Sequence, residues 1–138
     1  PWTRNRFPEG TRTRRIAIES LAGLKFDPTL IEVKAGEALQ IEFKNVDPLM
    51  PHNLVFAKPG TTQAVGMASN MLLTDGPAKA AEKHYVPETE DVLFYSSVLV
   101  HNRRQTLYVH APDEPGDYPF LCTFPGHWGV MNGVLRVK

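Results

Sequence analysis

The 138 residues fit one domain, and a hydrophobic content of 42% is enough for a single substantial core. Lys and Arg (15) balance Asp and Glu (15), so no net field draws the chain to nucleic acid or to an acidic membrane. No apolar run approaches the roughly 18 residues of a membrane helix, which excludes an integral membrane segment, and no charged-then-apolar secretion signal is present.

Residues 1–14 carry Arg4, Arg6, Arg12 and Arg14 among Pro1, Pro8 and Gly10 without helical or strand periodicity. They read as a basic arm or linker ahead of a domain over 15–138. The start at Pro1 rather than Met suggests a processed chain or a domain cut from a longer one. Short β-type segments then recur at Arg15–Ile18, Leu30–Val33, Ala38–Lys44, Asn53–Ala57, Val92–Val100, Gln105–His110, Asp117–Cys122 and Gly133–Val137. Pro/Gly turns such as Lys58-Pro59-Gly60 separate them. In Leu39-Gln40-Ile41-Glu42-Phe43 the alternation is clean and puts the three apolar residues on one face. Between Thr61 and about Ala81, Ala64, Met67, Ala68, Met71 and Leu72 recur at helical spacing until Gly76-Pro77 interrupts. The pattern predicts an all-β Greek-key sandwich or barrel of about eight strands, with one short helix packed as a flap by Met67 and Met71.

The single Cys122 excludes an internal disulfide and leaves an inert buried thiol, a nucleophile or a metal ligand. Its neighbourhood is Cys122-Thr123-Phe124-Pro125-Gly126-His127-Trp128-Gly129-Val130-Met131, in which three sulfur or nitrogen donors lie within ten residues between the last two predicted strands. Thiolate and thioether suit cuprous copper and imidazole suits cupric copper, whereas zinc more often has a second Cys or a carboxylate. A trigonal site of two His and one Cys with a weak axial Met needs one more His. His52 suits that place because Pro51-His52-Asn53 opens the apolar run Leu54-Val55-Phe56; Met50 is a weaker rival to Met131. His84, His101 and His110 show no metal spacing and no His-x-His pair, and neither a nucleophile motif nor a phosphate loop is present.

Cys122-Thr-Phe-Pro-Gly-His127-x-x-x-Met131 with the upstream His52-Asn53 resembles the azurin and auracyanin branch of the cupredoxins. Val65-Gly66-Met67-Ala68-Ser69 is similar to the flap helix of that branch. The resemblance implies a cupredoxin fold and one type 1 copper, with Cys122 as thiolate, His52 and His127 as equatorial imidazoles and Met131 as long axial ligand. It further implies that Asn53 bridges to the Cys loop and that the Phe124 N–H donates to the thiolate. Pro51 stands where azurins have a Gly whose carbonyl contacts the metal. Trp128, Pro125 and Gly126 form the expected electron-transfer surface. The implied function is one-electron transfer by a protein that is not itself an enzyme, serving transient partners such as cytochromes or dehydrogenases in a periplasmic or extracytoplasmic place. Alternatives are a redox module covalently fused to a larger enzyme, or a copper storage or delivery protein.

Overall fold

A computed structural model describes residues 6–138, so the part of the predicted arm over residues 1–5 lies outside the described residues. Alternation of apolar and polar side chains builds two sheets, as the strand β4 (Ala38–Asn45) illustrates. There Leu39, Ile41 and Phe43 are fully buried, while Glu42 between them faces solvent. One sheet runs in the order β2 (Lys25–Asp27), β1 (Arg14–Leu21), β4 and β7 (Arg104–His110). The other runs β3 (Leu30–Val33), β9 (Asn132–Val137), β8 (Gly116–Leu121), β5 (Val55–Ala57) and β6 (Val92–Tyr95). β1 pairs β4 and β3 pairs β9 in parallel; the remaining pairs are antiparallel. Ile18, Leu39, Ile41, Phe43 and Leu107 from the first sheet meet Phe56, Phe120 and Leu135 from the second in one apolar core.

The sandwich agrees with expectation, and its differences have local causes. There are nine strands among the described residues, the extra one being the three-residue β2, which is too short to show alternation. The predicted strand over Val92–Val100 ends at Tyr95. Beyond it the Ser96 hydroxyl accepts the N–H of Leu54 (2.9 Å), and Leu99 pairs with His52 in an isolated antiparallel bridge. The predicted strand from Asn53 starts at Val55, because Asn53 uses its hydrogen-bonding groups in the metal centre described below.

The single predicted helix is three pieces: α1 (Thr62–Met71), a 3-10 turn (Leu72–Asp75) and α2 (Pro77–Glu82). Gly76, with φ of 99°, breaks the run, and Pro77 starts α2 at its first position, where a missing N–H costs nothing. The buried face of α1 is Val65, Gly66 and Ser69, whereas Met67 and Met71 are exposed, contrary to the expected flap packing. Val65 joins Val55, Ala57, Val86 and Leu121 in a second small cluster, with Trp128 at its edge. β5 is therefore covered on both faces, which is why all three of its residues are buried. In the described part of the arm, the ring of Phe7 stands edge-on to Tyr108 and His110, at centroid distances of 6.2 and 5.1 Å. Among the described residues no helix is long and apolar enough to cross a membrane.

Candidate metal centre

The alternation in β8 aims Phe120 at the sandwich core and Leu121 at the helix side, so the next residue, Cys122, points back into the sandwich cluster. Its N–H donates to the Met131 carbonyl (3.2 Å), which closes the loop at the point where β9 begins. Inside the loop, the His127 N–H donates to the Phe124 carbonyl (3.0 Å) and the Met131 N–H to the His127 carbonyl (2.9 Å). Gly126, with φ of 86°, supplies the left-handed turn that this winding needs. His52 arrives from the other side of the fold. It is fixed by the two backbone bonds of its bridge with Leu99, at 3.0 and 2.8 Å.

These two routes bring one donor atom from each of His52, Cys122 and His127 within 4.8 Å of one another, with all three residues buried. The Cys122 Sγ lies 3.7 Å from the His52 Nδ1 and 3.6 Å from the His127 Nδ1. Metal–nitrogen and metal–sulfur bonds of about 2.0 and 2.3 Å, lengths known for zinc, set about 120° apart, separate N from S by about 3.7 Å. The observed S–N spacings are those of donors close enough to share one ion. Met131 is fully buried in the same cluster as Cys122, whereas the side chain of Met50 is exposed. The donors therefore fit one ion that accepts soft sulfur and imidazole together, which is the preference of copper.

Burial also sets the protonation of these groups. It pushes the Cys122 thiol up to about 12, although the backbone N–H groups of Asn53 and Phe124 point at the sulfur and oppose the shift. Burial, followed by the proximity of His52, pushes His127 down to about 4 against the pull of Asp47. His127 is thereby held neutral, the form that ligates a metal. Its Nε2 is buried and has no hydrogen-bond partner among the described residues.

A sequence model of the copper-binding proteins of the plastocyanin/azurin family matches residues 13–138. The chain belongs to that family. It is 32% identical over 115 residues to auracyanin-A of Chloroflexus aurantiacus, covering 83% of this chain and 68% of that protein. Azurin of Alcaligenes faecalis is 29% identical over 130 residues, covering 88% of this chain and 96% of the azurin. The solved structure of auracyanin A, described as a "blue" copper protein, superposes with a TM-score of 0.79 over 92% of this chain and all of that one, at 32% identity.

In this plastocyanin/azurin family member, the surroundings of the donors divide into expected and unexpected parts. The Asn53 side chain reaches the Cys loop: its oxygen accepts the Thr123 N–H (2.7 Å), and its nitrogen donates to the Thr123 hydroxyl and to the His84 carbonyl (2.8 Å each). The main-chain N–H of Asn53, also directed at the sulfur, was not anticipated. Pro51 and Pro125 are half-buried and Gly126 is exposed. Trp128 is half-buried and lies over α1 so closely that a Cβ on Gly66 would come within 2.0 Å of its ring. The ring of Phe124 instead neighbours His127, at 4.9 Å between centroids, and Tyr85 meets Phe124 edge-on at 4.8 Å.

His84, His101 and His110 stand apart from the donor cluster. The His84 Nδ1 accepts the Val98 N–H (3.3 Å), and the other two rings lie against the backbone carbonyls of Asp47 and Gly36. Sequence reasoning missed Asp47, which stands in the turn-like run Val46-Asp47-Pro48. Its carboxylate Oδ2 lies 2.7 Å from the His52 Nε2, and both side chains are buried. The available signal was its place five residues before His52, in a loop short enough to fold back on the ring.

Proposed function

We propose that this chain is a type 1 copper electron carrier in which Cys122, His52, His127 and Met131 would hold the ion. The observation that carries the reading is the close approach of the two Nδ1 atoms to the Cys122 Sγ, at 3.7 and 3.6 Å. Copper bound there supplies a one-electron couple, with sulfur suited to its cuprous and imidazole to its cupric state. The protein's part is to keep the donors still. The bridge at His52, the loop bonds from Cys122 to Met131 and the Asn53–Thr123 clasp fix them through the backbone, so little has to move when the charge changes.

His127 is the route by which the electron enters and leaves, since it sits on the loop that carries the exposed Gly126 and Val130 beside Pro125. Trp128 contributes to that surface from its seat on α1. Weakly charged contacts of this kind suit brief encounters with redox proteins such as cytochromes or dehydrogenases, whose interfaces are small. The chain acts as a carrier rather than an enzyme, in a periplasmic or extracytoplasmic setting, with 15–138 as the carrier domain and the preceding residues as its arm. Copper titration followed by visible absorption and electron paramagnetic resonance tests the reading. An intense blue thiolate-to-copper band should saturate at one copper per chain and vanish in Cys122→Ser. A colourless one-to-one cupric protein would overturn it.

A further inference from the structure

Asp47 is among the most deeply buried charged side chains of the fold, with 2% of its surface exposed. Such a group needs full hydrogen bonding, and it has it. One oxygen, Oδ1, accepts the N–H groups of Leu49 (2.9 Å) and Met50 (3.4 Å), and the other lies 2.7 Å from the His52 Nε2. Asn45 anchors the same loop: its Oδ1 accepts the Asp47 N–H (3.0 Å), and its Nδ2 donates to the carbonyls of Met50 (3.0 Å) and Leu99 (2.7 Å). Two main-chain N–H groups and the ring nitrogen thus converge on the carboxylate, the surroundings that a buried ionised carboxyl needs.

An ionised carboxylate only accepts, so the proton of a neutral His52 ring sits on Nε2 and the lone pair on Nδ1, the atom that faces Cys122 Sγ. Hydrogen bonds of this kind from a ligating histidine to a carboxylate fix its tautomer and ring plane and raise its basicity as a ligand. We propose that Asp47 is a positioning residue of the copper site: it orients His52 and brings one buried negative charge to the ion's surroundings, which holds the reduction potential down. This inference rests on the copper reading above. The cupric state carries one more positive charge than the cuprous, so a fixed negative charge behind the ring favours the oxidised protein.

The test compares copper-loaded wild type with Asp47→Asn by redox titration and visible spectroscopy. The variant should stay blue, and its ratio of reduced to oxidised protein at a fixed solution potential should rise at least about tenfold, about 59 mV for a one-electron couple. In the diamagnetic cuprous wild type, proton NMR should show a slowly exchanging low-field Nε2–H resonance from His52. That second measurement decides the matter if the variant does not fold. A blue variant with an unmoved potential, or a cuprous wild type without the protected Nε2–H, would overturn the role of Asp47 alone. A copper-loaded wild type that stays colourless would overturn the copper reading and the role of Asp47 with it.

Discussion

At Cys122, two opposing influences meet on one sulfur atom. Its surroundings are apolar enough to keep the thiol protonated up to about 12, yet the N–H groups of Asn53 and Phe124 are already turned to stabilise a thiolate. Metal binding has to displace that proton, because the thiolate is the ligand. Loading copper at pH 8 in weak buffer should therefore release about one proton per ion from Cys122, read with a pH indicator, and Cys122→Ser should abolish this release. Residue identities made this part of the site legible: one Cys, a His five positions on and a Met nine positions on leave few other chemistries. Asp47 stayed illegible because Val46-Asp47-Pro48 has the composition of an ordinary turn. Its role appears only when Asn45 ties that turn to the Leu99 carbonyl and delivers the carboxylate to the ring.

Among the elements, α1 shows how the site reaches into the scaffold. Gly in a helix ordinarily costs about 1 kcal/mol relative to Ala, so Gly66→Ala would be expected to stabilise the helix. Here the added Cβ meets the Trp128 ring at 2.0 Å, and overpacking of this kind costs about 1–3 kcal/mol. Gly66→Ala should lower the urea midpoint of the wild type. In a Trp128→Ala background the same change should be neutral or stabilising, so the double-mutant cycle should show strong coupling. The contact also explains the error in the helical face. Spacing singled out Met67 and Met71, but the approach of Trp128 to Gly66 rotates the helix so that Val65 and Ser69 turn inward. The strands were read more faithfully, since Leu39, Ile41 and Phe43 meet only apolar partners across the sandwich. They were misjudged where polar side chains, Asn53 and Ser96, replace ladder bonds with bonds of their own.

For the molecule as a whole, the buried donors set limits on the pH range of the metal-free protein. His127 ordinarily titrates near 6.5 and is pushed down to about 4 in the fold, so between those values the unfolded chain takes up a proton that the native state refuses. Stability should fall as pH drops through this interval, and the depressed carboxyl of Asp47 adds to the loss at the acid end. Cys122 acts in the opposite range: the unfolded thiol ionises from 9.0 upward while the native one resists to about 12, so stability should fall again as pH rises above 9.0. Thermal unfolding of the metal-free protein across pH should therefore trace a plateau bounded near 6.5 and 9, and Cys122→Ser should extend the alkaline side. The distance along the chain from His52 to Cys122 has a further consequence. An ion gripped by both closes a span of 70 residues, in a protein whose lone cysteine can form no internal disulfide. The electron carrier's metal is thus also a removable stitch, and a chain without a covalent staple borrows one whenever it is charged with copper.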